Sequence, residues 1–157
     1  MNDEQLRAQL AWLLDSKHAH AGFDKAVEGL PENLRGQRPD GLPHSPWELL
    51  EHIRIAQRDI FEFCVDPAYK EMKWPDDYWP PPGQQPTAEQ WARSVTECRR
   101  DRDALKRLAS DGDLFARIPH GSGQTVLREI LLVADHTAYH VGQIVLVRQL
   151  LGSWPSA

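Results

Sequence analysis

The chain has 157 residues, the size of one ordinary domain, and we treat 1–157 as a single domain. It carries 18 basic and 23 acidic residues, a formal net charge of −5, and it has no basic block, which argues against a nucleic-acid-binding role. Charged residues make up 26% and apolar residues 41%, the balance of a folded globular protein rather than a disordered one.

The sequence also bears on location. Its longest apolar run covers residues 130–134, far below the roughly 18 residues that a membrane span needs, so no membrane association is expected. The first five residues are polar and acidic, which predicts no signal peptide. Cys64 and Cys98 form neither a CxxC motif nor a disulfide framework. We therefore expect a reduced, cytoplasmic protein.

Two helices are predicted in the first half of the chain. The first covers about 2–28, where apolar residues recur at helical spacing until Gly29 and Pro31 stop it. The second begins at Ser45, which forms a capping box with Glu48 and is followed by a proline at the first helical position. It ends before Pro67.

Residues 66–86 show no helical pattern and are rich in proline and aromatic side chains, among them Trp74, Tyr78 and Trp79. Prolines stiffen such a segment, and its aromatic side chains need burial. One interpretation is a strap that packs across the molecule. The other is a wall of a ligand cavity.

Two further helices complete the pattern. The third begins with a capping box at Thr87 and runs to about Ala109, and the fourth runs from about Thr125 to Leu151. The fourth is apolar on more than one face, so we expect it to lie centrally or to bury a face against another subunit. Four long helices without convincing strands predict an all-α, four-helix bundle. The long connection at 66–86 permits helices that are not neighbours in sequence to pack together.

His136 and His140 stand four residues apart in the fourth helix. At this spacing both side chains lie on one helix face, where two imidazoles can bind one metal ion. His52 lies beside the apolar stripe of the second helix. Three histidines from two helices would leave open positions on a divalent ion, as catalytic sites do. The alternatives are solvated or core histidines and, for His52, an edge position paired with Glu48.

Two familiar metal sites are excluded. Thr137 follows His136 at the position where a zincin metalloprotease carries its general-base glutamate. A di-iron carboxylate bundle needs two Glu-x-x-His motifs, and the sequence has none.

Glu48 and His20 are the candidate acid–base residues. Glu48 lies on the face of His52, although its position in the capping box offers a structural role instead. His20 lies near the inward stripe of the first predicted helix, as a proton shuttle or as a partly buried structural residue. Asp59 is expected to pair at the surface or around the site, and Glu129 to lie at its rim. The remaining histidines are expected in surface or loop positions: His18, His44 and His120.

Two stretches carry a family resemblance: 45–53 (Ser-Pro-Trp-Glu-Leu-Leu-Glu-His-Ile) and 135–144 (Asp-His-Thr-Ala-Tyr-His-Val-Gly-Gln-Ile). Across nearly its whole length the chain resembles the DinB/YfiT family of metalloproteins, which is distinct from the DNA polymerase that shares the name. The resemblance implies a four-helix bundle with long crossover connections, often in up-up-down-down order, and commonly a homodimer. It also implies a divalent metal ion held by one histidine of the second helix and two of the fourth, which fall on His52, His136 and His140.

The metal in such relatives is zinc or nickel, with manganese and iron as further candidates, and some branches use a low-molecular-weight thiol. The resemblance therefore implies a metal-dependent enzyme, a thiol-dependent S-transferase or a hydrolase, that acts on a small-molecule substrate. The alternative is a non-catalytic protein that binds a metal or a small molecule in a stress-related role.

Overall fold

The computed structural model describes residues 3–15 and 19–155. These residues form five α-helices, four of them long, and two single-turn 3-10 helices at Glu32–Leu34 and Asp76–Tyr78. Within the described ranges there is no strand, and one isolated bridge joins Arg117 and Thr125. The predicted all-α bundle is thus confirmed. The helices are α1 (Asp3–Asp15), α2 (Phe23–Val27), α3 (Pro46–Val65), α4 (Ala88–Asp111) and α5 (Val126–Leu150).

The starts of the later helices follow from local chemistry. The Ser45 hydroxyl accepts from the backbone N–H of Glu48 at 3.2 Å, and the Glu48 carboxylate accepts from the Ser45 N–H at 2.8 Å. Thr87 and Gln90 form the same reciprocal pair at the start of α4. Both capping boxes satisfy N–H groups that the first helical turn leaves free, so both predicted starts are confirmed.

The first predicted helix, about 2–28, is wrong as a single element. Helix α1 ends at Asp15, residues 19–22 are not helical, and a separate short helix follows from Phe23. The side chain of Arg148 on α5 donates to the carbonyl oxygens of Ala26 at 2.7 Å and Glu28 at 2.8 Å. These carbonyls lie at the end of α2, where the helix itself offers them no donor. Their donor comes from a distant helix, so the helical periodicity of 2–28 could not reveal that the helix ends here.

Two apolar clusters form the core and meet along α5. One joins α2, α3, α4 and the C-terminal half of α5, and the other joins α1, α4 and the N-terminal half of α5. On α5 the second cluster ends at Ala134 and the first begins at Val141. The segment 135–140 between them contains two histidines, so polar groups occupy the junction of the two clusters.

Helices α3 and α4 run parallel. Arg54 pairs with Glu97 at 3.3 Å, and four residues later Arg58 pairs with Asp101 at 3.4 Å. Two consecutive parallel helices require a connection that returns along the bundle, over the roughly 30 Å length of α3. The segment 66–87 makes this return, which confirms the predicted long crossover.

The other pairs of packed helices fix the remaining directions. Arg7 near the start of α1 donates to the carbonyl oxygen of Ala109 near the end of α4, whereas Asp15 pairs with the earlier Lys106, so α1 and α4 are antiparallel. Helix α5 is antiparallel to α3, since the start of α3 contacts the middle of α5 and the end of α3 lies near its start.

The resulting order of the four long helices is up-down-down-up, and the up-up-down-down order expected from the resemblance is wrong. The ion pairs between helices reveal which neighbours are parallel, whereas the periodicity within each helix carries no information about direction.

Helix α5 is the most apolar element. By length and composition alone it could cross a membrane, with a mean hydropathy of 1.4, a property that core helices of soluble proteins share. It packs against α1, α2 and α3, yet part of its surface remains apolar and exposed. The exposed large apolar residues of α5 are Leu131, Leu132, Tyr139, Leu146 and Leu150.

Candidate metal centre

Three histidines meet at the junction of the two apolar clusters. His52 on α3 and His140 on α5 are buried, and His136 on α5 is half-buried. Their candidate ligand nitrogens all lie within 4.8 Å of one another, and the Nε2 atoms of His52 and His136 are 3.0 Å apart. The structure therefore brings together the three histidines that the sequence singled out.

Hydrogen bonds orient two of these imidazole rings. Nδ1 of His52 lies 2.8 Å from the carbonyl oxygen of Tyr78, and Nδ1 of His140 lies 2.6 Å from Oε1 of Gln143. Both partners accept only, so each ring carries its proton on Nδ1 and donates it. A neutral imidazole protonated on Nδ1 has its lone pair on Nε2, the tautomer in which Nε2 can bind a metal.

The environment keeps the cluster uncharged. Burial, with the neighbouring imidazoles, lowers the pKa of His136 to about 3. Burial likewise lowers the pKa of His140 to about 4, against the hydrogen bond to Gln143, and it lowers the pKa of His52. Because the charged form is disfavoured in a buried site, all three rings are neutral at pH 7. Neutral imidazole is the form that metal ions bind.

The spacing of one pair in the cluster, His52 and His136, fits a shared divalent ion. Imidazole nitrogens bind zinc at about 2.0–2.1 Å, so two ligands at tetrahedral or right angles stand roughly 2.9–3.4 Å apart. The 3.0 Å between the Nε2 atoms of His52 and His136 falls within this interval. In the metal-free protein a proton on Nε2 of His136 can bridge the two atoms, and a bound ion would take the place of that proton.

The strap, residues 66–86, is anchored beside the cluster through Asp59. This buried carboxylate on α3 accepts hydrogen bonds from the hydroxyls of Tyr69 at 2.8 Å and Tyr78 at 2.6 Å. Because the Tyr78 carbonyl accepts from His52, the same tyrosine joins Asp59 to the ring of a candidate ligand. Asp59 therefore binds residues around the site, which is one of the two positions predicted for it.

The strap also covers His52 from one side. The indole of Trp79 stacks on His52 with centroids 3.9 Å apart and an interplanar angle of 1°, and His44 stacks on the opposite face of that indole at 4.0 Å. Trp74 approaches His52 at 6.4 Å. Both interpretations of the segment hold, since it packs across the bundle and walls the cavity described next.

A cavity of about 300 Å³ adjoins the cluster between α3, α5 and the strap, and we name it the α3–α5 cavity. Its size is at the lower end of the range for small-molecule sites. Seven of its thirteen lining side chains are apolar or aromatic, and six are polar or charged. Its lining residues are His52, Ala56, Asp59, Ile60, Phe63, Tyr69, Trp74, Tyr78, Gln124, Arg128, Glu129, Leu132 and His136.

Glu48 has its acceptors filled by donors from the protein itself. It is 2% exposed and accepts from the N–H of Ser45 at 2.8 Å, from the N–H of Gly83 at 3.0 Å and from the Arg38 guanidinium. Although burial opposes ionisation, these donors hold the pKa of Glu48 down to about 2. The geometry therefore supports the capping role of Glu48.

His20 and His120 lie apart from the cluster. His20 is exposed in the link between α1 and α2, next to a different cavity, and its Nδ1 lies 2.9 Å from the carbonyl oxygen of Ala21. His120 is exposed near the end of α3, where its Nε2 lies 2.9 Å from the Phe63 carbonyl oxygen. His18 lies outside the described residues.

Sequence reasoning did not assign the groups that orient the ligands. Gln143 follows His140 by three residues, a spacing that places the two on one helix face, so this contact had a sequence signal. The Tyr78 carbonyl had none, because every residue carries one and only the path of the strap brings this one to His52.

Comparison with protein families identifies the family of the chain. The family model described as the DinB superfamily matches residues 17–144, more than four fifths of the chain, and the chain belongs to that family. A search of curated proteins finds no significant match.

Proposed function

We propose that this member of the DinB superfamily holds a divalent metal ion on His52, His136 and His140 and uses it on a small molecule bound in the α3–α5 cavity. The observation that carries the proposal is the convergence of three neutral imidazoles, two of them fixed in the tautomer that leaves Nε2 free. Three protein ligands leave positions open for a substrate or for water, as in catalytic zinc sites.

A bound ion would supply Lewis acidity, polarising a carbonyl or lowering the pKa of a bound water or thiol. The residues of this chain would supply the rest. Gln143 and the Tyr78 carbonyl orient the ligand rings, and the stacked Trp79 keeps water from one face of His52. The apolar walls of the cavity would hold the body of the substrate.

Imidazole ligands suit zinc and nickel, which we propose as the native ions, with manganese and iron as the ions to test next. A low-molecular-weight thiol is the first co-substrate to test, because thiolates bind these borderline ions well. The reaction we propose is accordingly a thiol-dependent S-transfer, with hydrolysis as the second reaction to assay.

One observation favours a second candidate function, non-catalytic binding of a metal or small molecule. Neither predicted acid–base residue is free at the cluster, since Glu48 is engaged by three donors and His20 lies elsewhere. The two candidates differ in turnover. A metal-loaded protein that binds thiols and electrophiles without converting them would support binding alone.

The metal site is tested by metal content, measured by mass spectrometry on protein purified without an affinity tag. We expect about one divalent ion per chain in the wild type and none in the His136→Ala/His140→Ala double variant. His120→Ala is the matched control, because this histidine lies outside the cluster. Full metal content in the double variant, or an empty wild type after zinc, nickel and manganese are added back, would contradict the proposal.

The homodimer and the cytoplasmic location stay predictions. The exposed apolar residues of α5 favour a homodimer, because burying them against a second copy removes apolar area from water. Light scattering at several protein concentrations measures the mass directly.

A further inference from the structure

We infer that the α3–α5 cavity binds a small organic cation whose ammonium group pairs with Glu129, two helical turns from the histidine cluster. The inference deepens the proposed function and rests on it for the other end of the ligand, which would reach the metal. The cation subsite itself is made of residues that take no part in holding the ion.

Glu129 is a buried carboxylate that the protein leaves partly free. Its exposure is 3%, and among the described residues its one ionic partner is the neighbouring Arg128, whose side chain is 58% exposed. A buried carboxylate needs close donors, whereas an exposed guanidinium is screened by water and stabilises it little. Arg128 meets Oε1, which leaves Oε2 able to accept from a ligand.

The charges that line the cavity favour a cation at this place. Asp59 and Glu129 carry two negative charges against one positive charge on Arg128, while His52 and His136 are neutral. Both oxygens of Asp59 already accept from tyrosine hydroxyls. The carboxylate open to a ligand is therefore that of Glu129.

The cavity also sets the shape of the ligand. Glu129 precedes His136 by seven residues, roughly 10 Å along the axis of α5. The apolar part of the cavity wall includes Ile60, Phe63 and Leu132. The ligand that fits is an extended apolar chain with an ammonium group at one end and a metal-binding group at the other.

The opposite assignment, a ligand carboxylate paired with Arg128, is less favourable. It would place a second anion beside the buried Glu129, in a low-dielectric cavity where like charges repel strongly. A solvent-exposed arginine gains little from such a pair.

The first test uses metal-free protein and compares hexylamine with hexan-1-ol at pH 7, followed by two-dimensional NMR of the cavity residues. We expect the amine to bind the wild type at least 10-fold more tightly. Glu129→Gln, which keeps an acceptor for Arg128, should abolish this preference. Glu62→Gln is the matched control, because Glu62 is an exposed carboxylate of α3 that also pairs with an arginine, and it should keep the preference. Equal binding of amine and alcohol, or a preference that survives Glu129→Gln, would overturn the inference.

The second test uses zinc-loaded protein and compares 6-aminohexanoate with hexanoate. A 10-fold preference for 6-aminohexanoate that Glu129→Gln removes would support the two-ended ligand, whereas tighter binding of hexanoate would assign the subsite to Arg128 and overturn the inference. The two proposals fail separately. A protein that takes up no zinc but prefers hexylamine refutes the metal site alone, and a zinc-loaded protein without amine preference refutes the cation subsite alone.

Discussion

Glu48 and His52 stand one turn apart on α3, and both are almost completely buried, at 2% and 1% exposure. The protein treats these two polar groups differently. It surrounds Glu48 with a guanidinium and two backbone N–H groups, so that every strong acceptor has a donor. It gives His52 a backbone carbonyl at Nδ1 and, at the remaining nitrogen, the Nε2 of another histidine 3.0 Å away.

The difference separates a structural polar site from one built for a ligand. The donors around the Glu48 carboxylate offset most of the desolvation cost of burying its charge, and they fix the local fold. The converging lone pairs of the histidines offset little of the desolvation cost of their own burial until an ion binds them. Buried polar groups with few hydrogen bonds are typical of sites where function takes precedence over stability. Three predictions test this contrast.

The largest effect is expected for Glu48→Ala. The variant leaves the buried N–H of Ser45 and the N–H of Gly83 without their acceptor and removes the partner of Arg38, so we expect the free energy of unfolding to fall by about 3 kcal/mol. Urea denaturation with and without zinc measures it. Metal content should stay at the wild-type level, and loss of the ion from a folded Glu48→Ala protein would show that the two sites are not separate.

The two sites should also respond to different pH ranges. The folded-state pKa of Glu48, about 2, lies below its unfolded value of 4.5, so its stabilisation is complete above pH 4.5 and is lost as the pH falls toward 2. The pKa of His136, about 3, lies below 6.5, so metal-free protein loses stability earlier, as the pH falls below 6.5.

Urea unfolding between pH 7 and pH 3 separates these contributions. His136→Ala should flatten the curve in the upper range, while Glu48→Gln should flatten it only below pH 4.5. If the free energy of unfolding falls equally steeply below pH 6.5 in His136→Ala and in the wild type, the buried histidines do not titrate as their burial requires.

The smallest effect is expected for Gln143→Leu. Loss of the acceptor that orients His140 should weaken metal affinity by about 10-fold, which corresponds to about 1.4 kcal/mol, without removing the ion. Competition with a metal-binding dye measures the affinity, and Gln149→Leu, on an exposed position of the same helix, is the control. Unchanged affinity in Gln143→Leu would mean that the hydrogen bond does not orient the ligand.

Local chemistry decided what could be predicted from the sequence. The capping boxes at Ser45 and Thr87 involve residues three apart, so the starts of α3 and α4 were visible without a fold. The pair His136 and His140 shares one helix face by its spacing alone. The all-α class follows from short-range periodicity, and the family resemblance rested on residues 45–53 and 135–144.

Contacts between distant residues decided the rest. Arg148 contacts the end of α2 from more than a hundred residues away, and the packing of the helices sets the up-down-down-up order that the ion pairs between them reveal. His52 joined the other two histidines only because α3 packs antiparallel on α5, and its Nδ1 partner is a backbone carbonyl of the strap. The sequence states which chemical group stands at each position. The relative directions of the helices and the partners of buried lone pairs are set only when the helices pack, so the tertiary structure alone decided them.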